Sequence, residues 1–266
     1  MTSTISARVL YVFWKTYDNF ATINPLRPYN EYNVPHQVVV PNPDGTVTAG
    51  DPTITIYDLN SNYKGSTDPM KLTNPFIGSE PVNRPPGRED YANSWEATVS
   101  KRQGRLFLEP SFLATKNHLY IVAVPQSPND LFAGLNQTWT LNFRMKASYD
   151  APHGIQLAVA DLVMNGIPGQ RTVQFNGSPA YTLGTITVPV DQFGDVHGGL
   201  RESLDVKVGK RFKFERFGFE ADVDILNLLN NNASWTTSYL TGAATYNIAS
   251  AIAPPRTTRL TAVFDF

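Results

Sequence analysis

Cysteine is missing from this 266-residue chain, which removes both a disulfide framework and a thiolate metal site. Long apolar runs are missing as well. The longest, residues 9–14 and 119–124, hold six residues each, far below the roughly 20 of a membrane-spanning helix. Charge is scarce, at 17% of residues against about 25% in an average soluble domain. A net charge of −1 leaves no electrostatic footprint for nucleic acid, so none is expected as a partner. The first six residues, Met-Thr-Ser-Thr-Ile-Ser, carry no basic segment followed by an apolar stretch and a cleavage site, so no secretion signal is read there. Gly-x-Ser-x-Gly, phosphate-loop and dinucleotide patterns are also lacking, and neither an enzyme nor a cofactor is expected.

What the chain does contain is alternation. In the last strand, about residues 256–266, Leu260, Ala262, Phe264 and Phe266 share one face, while Arg259, Thr261 and Asp265 share the other. Chain ends ordinarily fray in water, so two phenylalanines among the last three residues ask for an apolar environment. From Trp139 to Asp150 the odd positions read Trp, Leu, Phe, Met, Ala, Tyr and the even ones Thr, Asn, Arg, Lys, Ser, Asp. About ten residues tilted by roughly 45° cross a bilayer's hydrocarbon, and aromatic girdles mark its boundaries. Trp139 and Tyr149 have that spacing.

One hairpin specifies its own register. A two-residue turn at Glu215 and Arg216 sets Phe214 against Phe217, Phe212 against Phe219 and Val208 against Val223. The same register sets Arg211 against Glu220 and Lys207 against Asp224 on the other face. A slip by one residue would bury Glu220, Asp222 and Asp224 among phenylalanines. Lys210 interrupts the apolar face near the turn, where its ammonium can snorkel to a boundary.

Along the chain, eight strands are expected, at about 6–15, 91–101, 106–116, 139–150, 155–164, 204–214, 217–225 and 256–266. Their connections alternate long and short. The first long one, residues 16–90, holds 11 of the 20 prolines, and within it only residues 53–59 read as extended. Structureless loops of that length do not suit a compact soluble domain, whereas outer-membrane barrels combine long outward loops with short inner turns.

Three segments carry a family resemblance: Leu204-Asp-Val-Lys-Val-Gly-Lys-Arg-Phe212, Phe219-Glu-Ala-Asp-Val-Asp-Ile-Leu-Asn-Leu-Leu-Asn230, and Ala253-Pro-Pro-Arg256 ahead of a strand ending in Phe266. Asn24-Pro-Leu-Arg-Pro-Tyr29 and Ala97-Thr-Val-Ser-Lys-Arg102 add to it. Together they resemble the C-terminal β-barrel segment of TonB-dependent outer-membrane receptors, specifically the Oar-like group of Gram-negative soil bacteria. The resemblance implies an all-β, antiparallel transmembrane barrel segment spanning residues 1–266, about eight strands of a roughly 22-stranded plugged barrel. As a fragment without plug, TonB-contact segment or earlier strands it is expected to form an open curved sheet.

By the same resemblance, Leu260, Ala262, Phe264 and Phe266 form the signal read by the barrel-assembly machinery. Arg144, Lys146, Lys207, Arg211, Glu220, Asp222 and Asp224 line the lumen. The implied location is the cell outer membrane, with short turns in the periplasm and long loops outside. The implied partners are outer-membrane lipid, an unidentified solute, and TonB acting through the missing N-terminal parts.

Other chemistry reads more plainly. His36, His118, His153 and His197 have no metal-ligand spacing. Asn42, Asp44 and Asp51 faintly resemble a calcium loop but lack its regular ligands and final glutamate, so a turn is the simpler reading. Glu220, Asp222 and Asp224 form a carboxylate row without the geometry for acid–base work. The pair Gly198 and Gly199 reads as a flexible loop. Tyr17, Phe20, Tyr29 and Tyr32 suit loop packing better than glycan stacking. The rival to the barrel reading is a soluble secreted β-sandwich that binds a glycan or acts as an adhesin.

Overall fold

A computed structural model describes residues 4–17, 20–24, 27–63, 80–177, 180–214, 217–237, 239–243 and 246–265. Eight long strands form one antiparallel sheet, each paired with the next in chain order. They are β1 (Thr4–Lys15), β2 (Tyr91–Gln103), β3 (Leu106–Tyr120), β4 (Trp139–Ala151), β5 (Ile155–Met164), β6 (Arg201–Lys213), β7 (Gly218–Leu226) and β8 (Thr257–Asp265). A short ninth strand, Leu135–Asn136, extends the sheet beside the end of β3 and had no signal in the sequence. The sheet is not closed: among the described residues β1 and β8 each have a single partner.

Register follows the side chains. Phe212 pairs with Phe219, Val208 with Val223, Arg211 with Glu220 and Lys207 with Asp224. The Phe214 N–H donates to the Phe217 carbonyl at 2.9 Å, and the two rings stack at 4.5 Å. The turn residues Glu215 and Arg216 lie outside the described residues, as does Phe266. Between β2 and β3 the chain reverses through Gly104 and Arg105, with Gly104 at φ +56°, a conformation that glycine adopts without steric cost.

The two faces invert the usual relation of polarity to exposure. On β7, Asp222 and Asp224 are 6% and 7% exposed, while Val223 between them is 40% exposed. Val9 and Leu260, in the two edge strands, are exposed to 80% and 77%. Among the described residues of the eight long strands, Ala92 is the one buried apolar side chain. Four charges on the apolar face fall toward strand ends, Lys101 and Lys210 near the short turns and Lys116 and Glu202 toward the long connections, whereas Asp161 lies at mid-strand between Met145 and Leu204. The Lys210 ammonium lies over the Phe212 ring at 5.6 Å. Aromatic side chains gather at both ends of this face. Tyr11, Trp95 and Trp139 stand in a row at the long-connection end, with ring centroids 5.5 and 5.6 Å apart. At the short-turn end Phe212, Phe219 and Phe264 stand 5.8 and 4.9 Å apart.

The long connections correct the sequence reading. One extended insert was expected between residues 16 and 90, but two antiparallel pairs occur, Phe20–Ile23 with Glu80–Asn83 and, between them, the hairpin Val34–Val39 with Thr53–Asp58. Pro35 interrupts the alternation of Val34–Val39. It is tolerated there because that strand pairs on one side only. The connection after β5 contributes another hairpin, Thr172–Asn176 with Thr185–Pro189. Ile56 from the first connection packs with Ile186 and Val188 from this one, all at most 4% exposed. Phe132, from the connection after β3, packs against them. The chain's hydrophobic core is therefore a cap built by its loops.

Candidate functional site

Two assemblies have the geometry of a site: the ion-paired polar face and the cap above it. On the polar face, Lys207 stands opposite Asp224 in the ladder, yet its ammonium reaches diagonally to Asp222 Oδ2 at 2.6 Å. Asp224 is taken from the other side by Arg259, Nη2 to Oδ2 2.9 Å. Gly209 sits opposite Asp222, and a Cβ there would strike the Asp222 carboxylate, so glycine makes room for the pair. Arg211 and Glu220 approach to 3.9 Å and Lys146 and Glu109 to 4.0 Å, while Arg8 bonds Glu96. The Arg144 Nε–H donates to Asn142 Oδ1 at 3.2 Å. The seven charges expected on one face are thus on one face, but the acidic ones are consumed in pairs. Leu260, Ala262 and Phe264 lie together on the opposite, apolar face.

The family-like segments meet at the end of β7. Asn227 adopts φ +50°, a conformation in which asparagine is enriched. Its Nδ2 donates to the carbonyls of Asn231 (3.0 Å) and Pro254 (2.7 Å). Asn230 Oδ1 accepts from the Arg256 N–H at 3.0 Å. The Asn-Leu-Leu-Asn and Pro-Pro-Arg stretches therefore close the last long connection against each other.

The cap is locked by residues that the sequence reading did not single out. Asp58, 1% exposed, accepts hydrogen bonds from the backbone N–H groups of Leu59 (2.8 Å), Leu183 (3.1 Å) and Thr182. Asn129 pairs with both backbone groups of Tyr57, Nδ2 to O 2.7 Å and N to Oδ1 2.8 Å, like a neighbouring strand. Arg171 grips Asp191 with two bonds of 2.9 and 3.1 Å and donates to the Pro41 carbonyl at 2.6 Å. A sequence signal for Asp58 did exist: Ile54, Ile56 and Asp58 fall on one face of an alternating strand. A cleft of about 390 Å³ opens in the cap, lined by residues 132–135, Gln137 and residues 189–193. That volume lies in the range of small-molecule sites.

The residues weighed for other chemistry take structural positions. His36 packs against Tyr181 with the rings tilted and centroids 4.2 Å apart, its Nε2 3.9 Å from Asp58, and His118 stacks on Tyr91. Gly198 is tied down through its N–H to the Ile167 carbonyl at 2.9 Å. Tyr17 and Tyr29 are exposed, burial pushes the Tyr32 phenol above its ordinary pKa, and the Phe20 side chain lies outside the described residues.

In the turn around Asp44 and Asp51, each carboxylate is used locally. Asp44 accepts from Thr46 N (2.9 Å) and Oγ1 (2.7 Å), and Asp51 from Thr48 N (2.6 Å) and Oγ1 (2.8 Å). These bonds hold both carboxyls below the ordinary aspartate range, led by the Thr46 hydroxyl for Asp44 and the Thr48 amide for Asp51. A lowered folded value means that the turn is stabilised above the unfolded pKa and loses that stabilisation as pH falls through the folded one. The Thr46 and Thr48 amide resonances are expected to titrate with midpoints below about 3.9. Midpoints at or above that value would contradict the assignment.

Comparisons with protein-family models, curated proteins and solved structures return no match.

Proposed function

We propose that this chain is the C-terminal barrel segment of a TonB-dependent outer-membrane receptor, taking up a solute that the outer cap first meets. The observation that carries the reading is the inverted sheet: carboxylates 6% and 7% exposed on one face and valines 40% and 45% exposed on the other. An ordinary domain covers the apolar face of a sheet with another layer. Here no layer covers it among the described residues, and hydrocarbon is the covering that fits. From Trp139 to Tyr149 the strand advances about 33 Å, or roughly 23 Å for a strand tilted by about 45°. That is close to the roughly 25 Å apolar band of outer-membrane barrels. The open edges β1 and β8 supply pairing sites for the remaining strands of the parent barrel. On this reading the polar face lines the lumen, the short turns face the periplasm, and Leu260, Ala262 and Phe264 contribute to the assembly signal. A secreted β-sandwich requires a second sheet against the apolar face, and its absence among the described residues counts against that rival.

The intact protein extracted from membranes is expected to run at different apparent sizes in unheated and heated denaturing gels, and to sediment with outer-membrane markers. A heat-insensitive band recovered from the soluble fraction would reject the barrel.

A further inference from the structure

A second, smaller cleft of about 190 Å³ lies where the first long connection returns to the sheet, lined by Thr16, residues 83–86, Arg88 and Glu89. Two arginines contribute to it. The Pro85-Pro86-Gly87-Arg88 turn, closed by the Arg88 N–H on the Pro85 carbonyl at 3.3 Å, sets their spacing. Gly87 at φ +83° allows the reversal. The Arg88 guanidinium lies over the Tyr120 ring at 4.6 Å, and the Tyr120 hydroxyl donates to the Gly87 carbonyl at 2.9 Å.

The acids nearby are already engaged. Asp90 receives Arg84 Nη1 at 2.6 Å and the Tyr120 N–H at 2.8 Å. Glu89 lies 4.0 Å from Lys15, and its own backbone N–H, followed by Lys15, holds its carboxyl below the ordinary range. Arg88 has no ion-pair partner among the described residues. The Nε–H groups of both Arg84 and Arg88 are buried without a hydrogen-bond partner. Being buried, those two donors are not reached from the cleft; what an anion there meets is the outer edge of two guanidiniums, of which Arg84 is already ion-paired to Asp90. Guanidinium forks match carboxylate and phosphate geometry.

We infer that this cleft binds a single carboxylate or phosphate group of a soluble solute, with Arg88 as the principal contact and Arg84, held by Asp90, as the second. The site stands independently of how the apolar face of the sheet is covered. Its position at the long-connection end of β1 and β2 makes it an anchoring point for an anionic ligand in addition to the cap cleft, whose one charged lining residue is Asp191.

The test is calorimetric titration of the intact protein with inorganic phosphate, with citrate, and with phosphatidylglycerol in detergent. Saturable binding of phosphate or citrate is expected, weakened roughly tenfold or more by Arg88→Gln and less by Arg88→Lys, which keeps the charge but not the fork. Circular dichroism of each variant separates loss of the site from loss of the fold. If neither soluble probe binds at concentrations on the order of millimolar, or if binding is unchanged in a folded Arg88→Gln protein, the assignment is wrong. Binding of phosphatidylglycerol alone would also overturn it, moving the cleft from solute to lipid. Because heat-dependent gel mobility is read separately, failure of the anion site and failure of the barrel remain distinguishable.

Discussion

Val208→Arg is expected to weaken heat-dependent mobility or lower the stability of the assembled protein by about 1–2 kcal/mol, the cost of an arginine part-way between the interface and the midplane of a lipid-facing strand. Val208 stands in β6 between Leu157 and Val223, and all three are 40–45% exposed. Facing water, the same substitution would replace an exposed valine and change stability by no more than about 0.5 kcal/mol. The control is Gln156→Arg on the polar face of β5, next to Asp150 and Gly209 in the ladder, where an added cation meets water and a carboxylate. A barrel distinguishes the two variants; a soluble sheet tolerates both. Equal, small effects measured in denaturant would remove the main physical support for the membrane reading.

The second large effect is expected at Asp58. Asp58→Ala leaves the N–H groups of Leu59, Thr182 and Leu183 without their acceptor in a site 1% exposed. At roughly 1–3 kcal/mol for each unpaired buried donor, the cap should lose about 3 kcal/mol or more. Asp58→Asn, of nearly the same shape, retains one acceptor oxygen and should fall between the wild type and the alanine variant. Hydrogen exchange in residues 53–59 and 182–188 reports on this directly. Protection in β4 to β7 should be unaffected, since none of their backbone bonds involves Asp58. Unchanged protection in the cap of the alanine variant would mean that Asp58 is a passenger there.

The sheet was readable because each strand declares its faces by a period of two, and facing phenylalanines and opposite charges leave a single register for β6 and β7. The register held, and what the hairpin alone did not show is which ions pair once a third strand competes. Lys207 does stand opposite Asp224 in the ladder, but Arg259 of β8 claims that carboxylate, and Lys207 turns to Asp222 across the gap left by Gly209. In the cap the strand Thr53–Asp58 was legible, but its packing partners were not, for a different reason. The cap's core joins Ile56, Phe132 and Val188 from three connections. No local pattern in a proline-rich segment announces a partner more than a hundred residues away.

Those separations bear on the order of assembly. Asp58 and Leu183 are 125 residues apart, and Arg171 and Pro41 are 130 apart. Closing a free loop of that length costs about 4 kcal/mol in chain entropy by the logarithmic rule. Once β1 to β6 have zipped, the bases of these loops are already neighbours and most of that cost has been met. The strands are therefore expected to form first and the cap last, so a chain whose sheet is incompletely assembled would display its cap unfolded.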